Sequence, residues 1–293
     1  MSPRRRRTGM KNKRSLLAIP YVGWMALFVV APIVMVVIYA FTTADFSVTG
    51  ENFTRMGTFT VIFTRSFKLA IIATLVCLLI GYPLSYAMAR EGKGFQRVAM
   101  LLIMLPMWVN FLLRTYSMMS IMENNGLINQ FFSAIGLFDL INGIFGTDIP
   151  YFKMIGTQGA VVVGMVYNYL PFMVLPIYST LIKMDNTLLE AARDLGADSA
   201  AVFRKVILPL SLPGILSGVT MVFVPSVSTF AISRLLGGGI QMLLGDLIEQ
   251  QFLGGAYNPH LGSAIALVMM VIVVACMWIM NRFGEGEEQA VML

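Results

Sequence analysis

Charge is what this sequence has least of. Lys, Arg, Asp and Glu make up 12% of its 293 residues, about half of the roughly 25% found in soluble domains. That shortage argues against a soluble globular protein. Polar or periodic composition is missing too, which excludes disorder, collagen and coiled coil. The two cysteines, Cys77 and Cys276, both sit inside apolar runs. They offer neither a disulfide scaffold nor a metal-type Cys/His spacing. One histidine, His260, stands alone in a loop, so histidine-dependent catalysis has almost nothing to rest on.

What is present is uncharged length. Residues 15–44, 69–89, 154–182, 206–233 and 261–281 carry no charge, and 98–122 carries only Arg114. A bilayer core is crossed by about 20 apolar residues, and the Leu, Met and Ala content suits helix. The alternating segments of about ten residues that a membrane barrel needs are absent. The expectation is an all-α polytopic membrane protein with six spans near 16–43, 68–90, 98–122, 155–182, 206–234 and 261–281. A basic tail (1–15) and a second tail (283–293) flank a six-helix transmembrane domain of 16–282, whose loop 183–205 lies outside the spans. Nine prolines inside or beside the runs predict bent helices, tolerated where neighbours re-satisfy freed carbonyls.

Lys/Arg asymmetry sets the expected orientation. With the N-terminus inside, the inner segments hold fifteen Lys/Arg and the outer ones five. Both termini are therefore expected in the cytoplasm. The run Arg4–Arg7 with Lys11, Lys13 and Arg14 reads as a juxtamembrane cluster touching anionic lipid, not as a nucleic-acid tail. A cleaved signal peptide is not expected: its apolar core spans about 7–15 residues, and here the run continues past Ile38.

The segment 183–218 is longer and more patterned than a connector needs. Thr187 and Glu190 fit a T-x-x-E capping box. Leu188, Ala191, Ala192 and Leu195 make one helical stripe, with Glu190, Arg193 and Asp194 on the other side. Gly196 suits a helix stop, Asp198 a second cap. The product is a short helix–turn–helix on the inner side. Two roles remain open from periodicity: a knob for a groove on a partner protein, or an amphipathic helix lying on the membrane.

The residues Glu190, Ala191, Ala192, Gly196, Ala197, Pro209, Leu210, Pro213, Gly214 and Ile215 form E-A-A-x-x-x-G-A followed by P-L-x-x-P-G-I. This pattern resembles the signature of permease subunits of ATP-binding-cassette (ABC) importers. The stretches 170–197, 110–116, 126–129 and 243–252 resemble their spermidine/putrescine branch. The resemblance runs from about 16 to 282. It implies the type I importer permease fold and a coupling helix (Glu190, Ala191, Ala192, Arg193, Asp194, Gly196, Ala197) docked in a cytoplasmic ATPase. It implies as partners a second homologous permease, an ATPase dimer and an extracytoplasmic polyamine-binding protein, with no nucleic acid. No G-x-x-x-x-G-K-[ST] occurs; the nearest string is Gly92-Lys93-Gly94. The chain is thus expected to hold no cofactor and to do no covalent chemistry, with ATP and Mg bound by the partner ATPase.

Polar groups within spans should face a cavity or one another. Candidates for a solute path are Trp108, Asn110, Tyr116, Tyr167, Asn168 and Ser226. Against each stands ordinary interhelical hydrogen bonding. Arg114, the one ionisable residue inside a span, is expected in a structural or gating ion pair with Glu123, Asp246 or Glu249. Residues 240–252 read as a short re-entrant or surface helix whose Asp246 and Glu249 share a face. They would form an acidic outer mouth suited to a polyamine; a solvated polar face is the plainer alternative. An importer for another solute also fits. A secondary carrier is disfavoured because no span holds an Asp or Glu, and an intramembrane enzyme because no catalytic set exists.

Overall fold

The computed structural model describes residues 20–291. The basic run at 4–14 lies outside them. Contacts divide the chain into two compact units, one of residues up to 58 with 250–271, the other of 59–249 with 272 onward.

In the first unit, α1 (Pro20–Ala40) is apolar all round and mostly exposed. It ends in a tight loop closed by an antiparallel bridge between Thr42 and Val48. The short helix α2 (Glu51–Met56) follows. Buried Asn52 ties the loop to it by donating to the carbonyls of Ala40 and Thr42, at 3.1 and 3.0 Å.

The second unit is built on three long helices. They are α3 (Thr60–Arg90), α8 (Gln158–Leu181) and α10 (Ser199–Ser228). Their crossings use small residues, which let backbones approach in lipid. Gly214 shows the tightness: a Cβ there would come within 2.5 Å of Thr180 Oγ1 and 2.8 Å of the Pro176 carbonyl. Polar ties cross the same contacts. Ser85 Oγ reaches the Val174 carbonyl at 3.1 Å, and Tyr82 bonds Ser211 at 3.0 Å.

Most span hydroxyls do something simpler. Thr74, Thr115, Ser117, Thr180, Thr220 and Ser226 each donate to the carbonyl four residues back. This satisfies the hydroxyl within its own helix.

The third span, expected over 98–122 with a helix-bending proline at Pro106, goes beyond a bend. It is broken: α4 (Lys93–Met104) and a 3₁₀ turn, Leu105–Trp108, are followed by α5 (Phe111–Met122). The arms Lys93–Trp108 and Phe111–Ala134 meet at 93°. Pro106 sits at the start of the 3₁₀ turn, and Asn110 starts a fresh helix. The latter's Oδ1 accepts from the backbone of Leu112 and Leu113 at 2.9 and 3.3 Å, an N-cap. Counting this bent pair as one, the described residues hold six helices or helix pairs long and apolar enough to span.

Beyond α5 lie α6 (Leu127–Ala134) and α7 (Leu137–Phe145). Other bounds differ from the hydropathic expectation. The fifth long helix starts at Ser199, not 206, and stops at Ser228, so that α11 (Ala231–Leu236) is separate. Helix α12 (Leu244–Leu253) is too short to span. The last, α13 (Pro259–Val291), runs past the expected end at 281.

Candidate functional site

The segment 183–205 forms α9 (Asn186–Asp194), a turn, and the start of α10. Its N-cap is not the expected Thr187–Glu190 box. Asp185 caps instead, accepting from Thr187 N at 2.9 Å. Asp is at least as good a cap as Thr, so the helix begins two residues earlier. That bond holds the Asp185 carboxyl below its ordinary range. The stop is as expected: Gly196 takes a left-handed φ of 83°, and Ala197 N returns to the Ala192 carbonyl at 3.1 Å, a Schellman-like closure. Asp198 caps the next helix through Ala201 N at 2.8 Å.

Which face of α9 is covered decides what it can do. Leu189 and Ala192 pack inward on the core. The other three residues of the stripe read from the sequence point the other way. Ala191, Leu188 and Leu195 are exposed, Leu195 by 89%. Glu190, Arg193, Asp194 and Gly196 are exposed with them. The knob thus offers an apolar and charged face that its own chain leaves uncovered.

Its base is rigid. Phe203 stands edge-on between Tyr82 and Tyr86, with centroids 5.8 and 5.6 Å away. Arg90 lies 4.4 Å over the Tyr86 ring. A cleft of about 370 Å³ opens beside α9 between Tyr86, Arg90, Glu190 and Arg193. Tyr86 and Arg90 carry no signal for this role in the sequence, since they end a span and are brought here by tertiary packing.

The residues expected along a path are scattered. Trp108 is 78% exposed, and Tyr116 and Tyr167 are exposed on their helices. Ser226 is buried and bonded within its own helix. Asn110 caps α5. Asn168 is buried; its amide donates to the Gly164 carbonyl at 2.9 Å, while its Oδ1 has no partner among the described residues. That oxygen is one of the unused polar atoms within the spans.

The acids of the last loop are not an open mouth. Asp246 is 3% exposed. Its Oδ2 accepts from Ser233 Oγ and from Leu243 N. Glu249 is held by Arg234 at 3.0 Å. Both acids are therefore engaged by α11 and the preceding loop, partners that helical spacing does not reveal. Nor does Arg114 pair with Glu123, Asp246 or Glu249. Its Nε and Nη1 are buried without a hydrogen-bond partner among the described residues.

Residues 81–285 match the family described as "Binding-protein-dependent transport system inner membrane component". The chain belongs to that family. It is thus an inner-membrane component of a transport system. It is 35% identical over 271 residues to the spermidine/putrescine transport system permease protein PotB of Haemophilus influenzae, covering 90% of this chain and 91% of that one. Against PotB of Escherichia coli K12 the identity is 34% over 265 residues, 88% and 92% of the two chains. A solved bacterial ABC transporter involved in alginate import shares the fold at a TM-score of 0.72 and 17% identity, over 94% of this permease and 96% of that chain. The all-helical architecture is accordingly that of an ABC importer permease.

Proposed function

We propose that this permease forms half of the translocation path of an ATP-driven importer for polyamines, spermidine or putrescine, with both termini in the cytoplasm. Full-length similarity to PotB permeases supports the polyamine reading. A second, PotC-type permease would complete the path, and an extracytoplasmic binding protein would deliver the solute. A separate ATPase dimer, holding ATP and Mg, would hydrolyse the nucleotide.

The observation that carries the mechanism is the uncovered face of α9. Leu188, Ala191 and Leu195 offer a small apolar knob with Glu190, Arg193 and Asp194 around it. In a groove of the ATPase this knob would bury its apolar face. Because Leu189 and Ala192 of α9 pack on the same core as Phe203, Tyr82 and Tyr86, a push on it would pass into α3 and α10. Closing of the ATPases would thereby rock the spans and alternate access. Asn168 Oδ1 and the exposed faces of Trp108, Tyr116 and Tyr167 are the groups we assign to the path, with Arg114 as a cation completed by a counter-ion during the cycle.

A second reading keeps the machine and changes the solute. The engagement of Asp246 and Glu249 favours it, since these two carboxylates are then not free to hold a polycation. Uptake of labelled putrescine into vesicles holding all subunits, with spermidine, thiamine and sulfate as competitors, separates the two. Competition by spermidine alone supports the polyamine reading; transport of another solute with no putrescine uptake contradicts it.

A further inference from the structure

We infer that the first unit carries a separate outer site for an alkylammonium group, built on the loop after α1 and the start of α13. The inference rests on the polyamine reading for its biological ligand, and on geometry for its chemistry.

The loop holds an anomaly. Phe46 has φ of 58°, the only positive value on a non-glycine residue among those described. A bulky side chain there is strained. The strain is enforced by the Thr42–Val48 bridge, by a bond between the Thr43 and Ser47 hydroxyls at 2.6 Å and by Phe46 N donating to the Thr43 carbonyl at 2.9 Å. Core packing does not explain it, because the ring is 65% exposed. What the turn achieves is placement. Phe46 stands edge-on to His260 at 6.4 Å and 6.2 Å from Tyr39. His260 is itself fixed, its Nδ1 lying 3.2 Å from the Tyr39 carbonyl and 3.3 Å from Thr42 Oγ1.

These rings and Tyr257, 70% exposed, line a cleft of about 580 Å³ that also contains Glu51 and Arg55. The ion pair in it is lopsided. Glu51 Oε1 takes both guanidinium contacts, at 3.0 and 2.7 Å, which leaves Oε2 outside the pair. Both side chains are 58% exposed, so the pair is held weakly. Aromatic faces beside an open carboxylate oxygen are the chemistry that takes a primary ammonium. Interfacial aromatic anchoring in lipid would use the same rings but has no need of Glu51.

The test uses the assembled transporter in nanodiscs with 3-fluorotyrosine at position 257, titrated with putrescine and with its uncharged isostere 1,4-butanediol. The site predicts a saturable ¹⁹F shift with putrescine and none with butanediol. Glu51→Gln and Phe46→Gly should each weaken it by about three- to thirtyfold. Glycine suits the left-handed turn, so the second variant removes the ring and keeps the loop. A silent resonance, an equal response to butanediol, or indifference to Glu51→Gln overturns the site. A persisting putrescine shift without putrescine uptake upholds the site and defeats the polyamine reading instead.

Discussion

Helices α9 and α12 look alike on paper. They have nine and ten residues, lie outside the long spans and carry two carboxylates each. Their surroundings are opposite. On α9 the acids stay in solvent and Leu195 is nearly bare. On α12 Asp246 is sunk against Ser233 and Leu243, and Glu249 is clasped by Arg234. A helix whose carboxylates are each engaged by its own chain is part of the scaffold. One left with an uncovered apolar stripe on a braced base is unfinished without a partner. On this contrast we assign coupling to α9 and structure to α12, though the sequence marks both with acids.

The largest effect that could break this contrast lies on α9. Glu190→Lys with Gly196→Val should reduce uptake to background while the permease still inserts. The valine alone strains a left-handed position by about 1–2 kcal/mol. Uptake measured against membrane abundance checks it; retained uptake would return α9 to the status of a connector.

Next in size is Asp246→Ala. It strands Leu243 N in a buried site, at about 1–3 kcal/mol, while the Ser233 hydroxyl keeps the Phe230 carbonyl at 3.0 Å. Abundance and thermal stability should fall, while the half-saturation constant of the surviving protein stays put. A changed constant with normal stability would move Asp246 from scaffold to path.

Asn110→Ala should cost about 1 kcal/mol by uncapping α5, and Asn110→Asp should restore it. Thermal shifts of the assembled complex give the reading. Failure of the aspartate to rescue would make Asn110 a solute contact.

The smallest effect is at Asp185. Its folded carboxyl is held below the ordinary range, so the cap is intact above the unfolded value of about 3.9 and fades only as pH falls through the depressed one. ATPase coupling should therefore show no loss from this group between pH 5 and 8. Asp185→Ser should behave like the wild type there, in coupled hydrolysis assays.

The spans were legible because a bilayer selects on a property that sums along the chain, and charge-free runs report it directly. The break at Asn110 was written just as locally, in Pro106 and a capping Asn. Hydropathy weighs residue type and is blind to backbone direction, so the run 98–122 promised a bend at its proline but not a break of 93°. The start of α9 was ambiguous because Asp185 and Thr187 both cap, and only geometry chooses. Neither the engagement of Asp246 nor the unpaired Arg114 could be read from spacing. Ser233 and Arg234 come from α11, and which carboxylates reach a guanidinium is decided by packing. Legibility followed range: the helix, the Gly196 stop and the Asp198 cap of segment 183–205 are local and could be read, whereas the outer acids depend on contacts between elements.

The account turns on whether α9 is gripped by a separate motor. A disulfide trap decides it: Ala191→Cys in the assembled transporter, with a cysteine introduced along the groove of the ATPase subunit and Cys77 and Cys276 replaced. A crosslink to the ATPase that forms efficiently and locks transport is the predicted result. A thiol at position 191 that never joins the ATPase, and reacts only with reagents dissolved in the lipid, would contradict it.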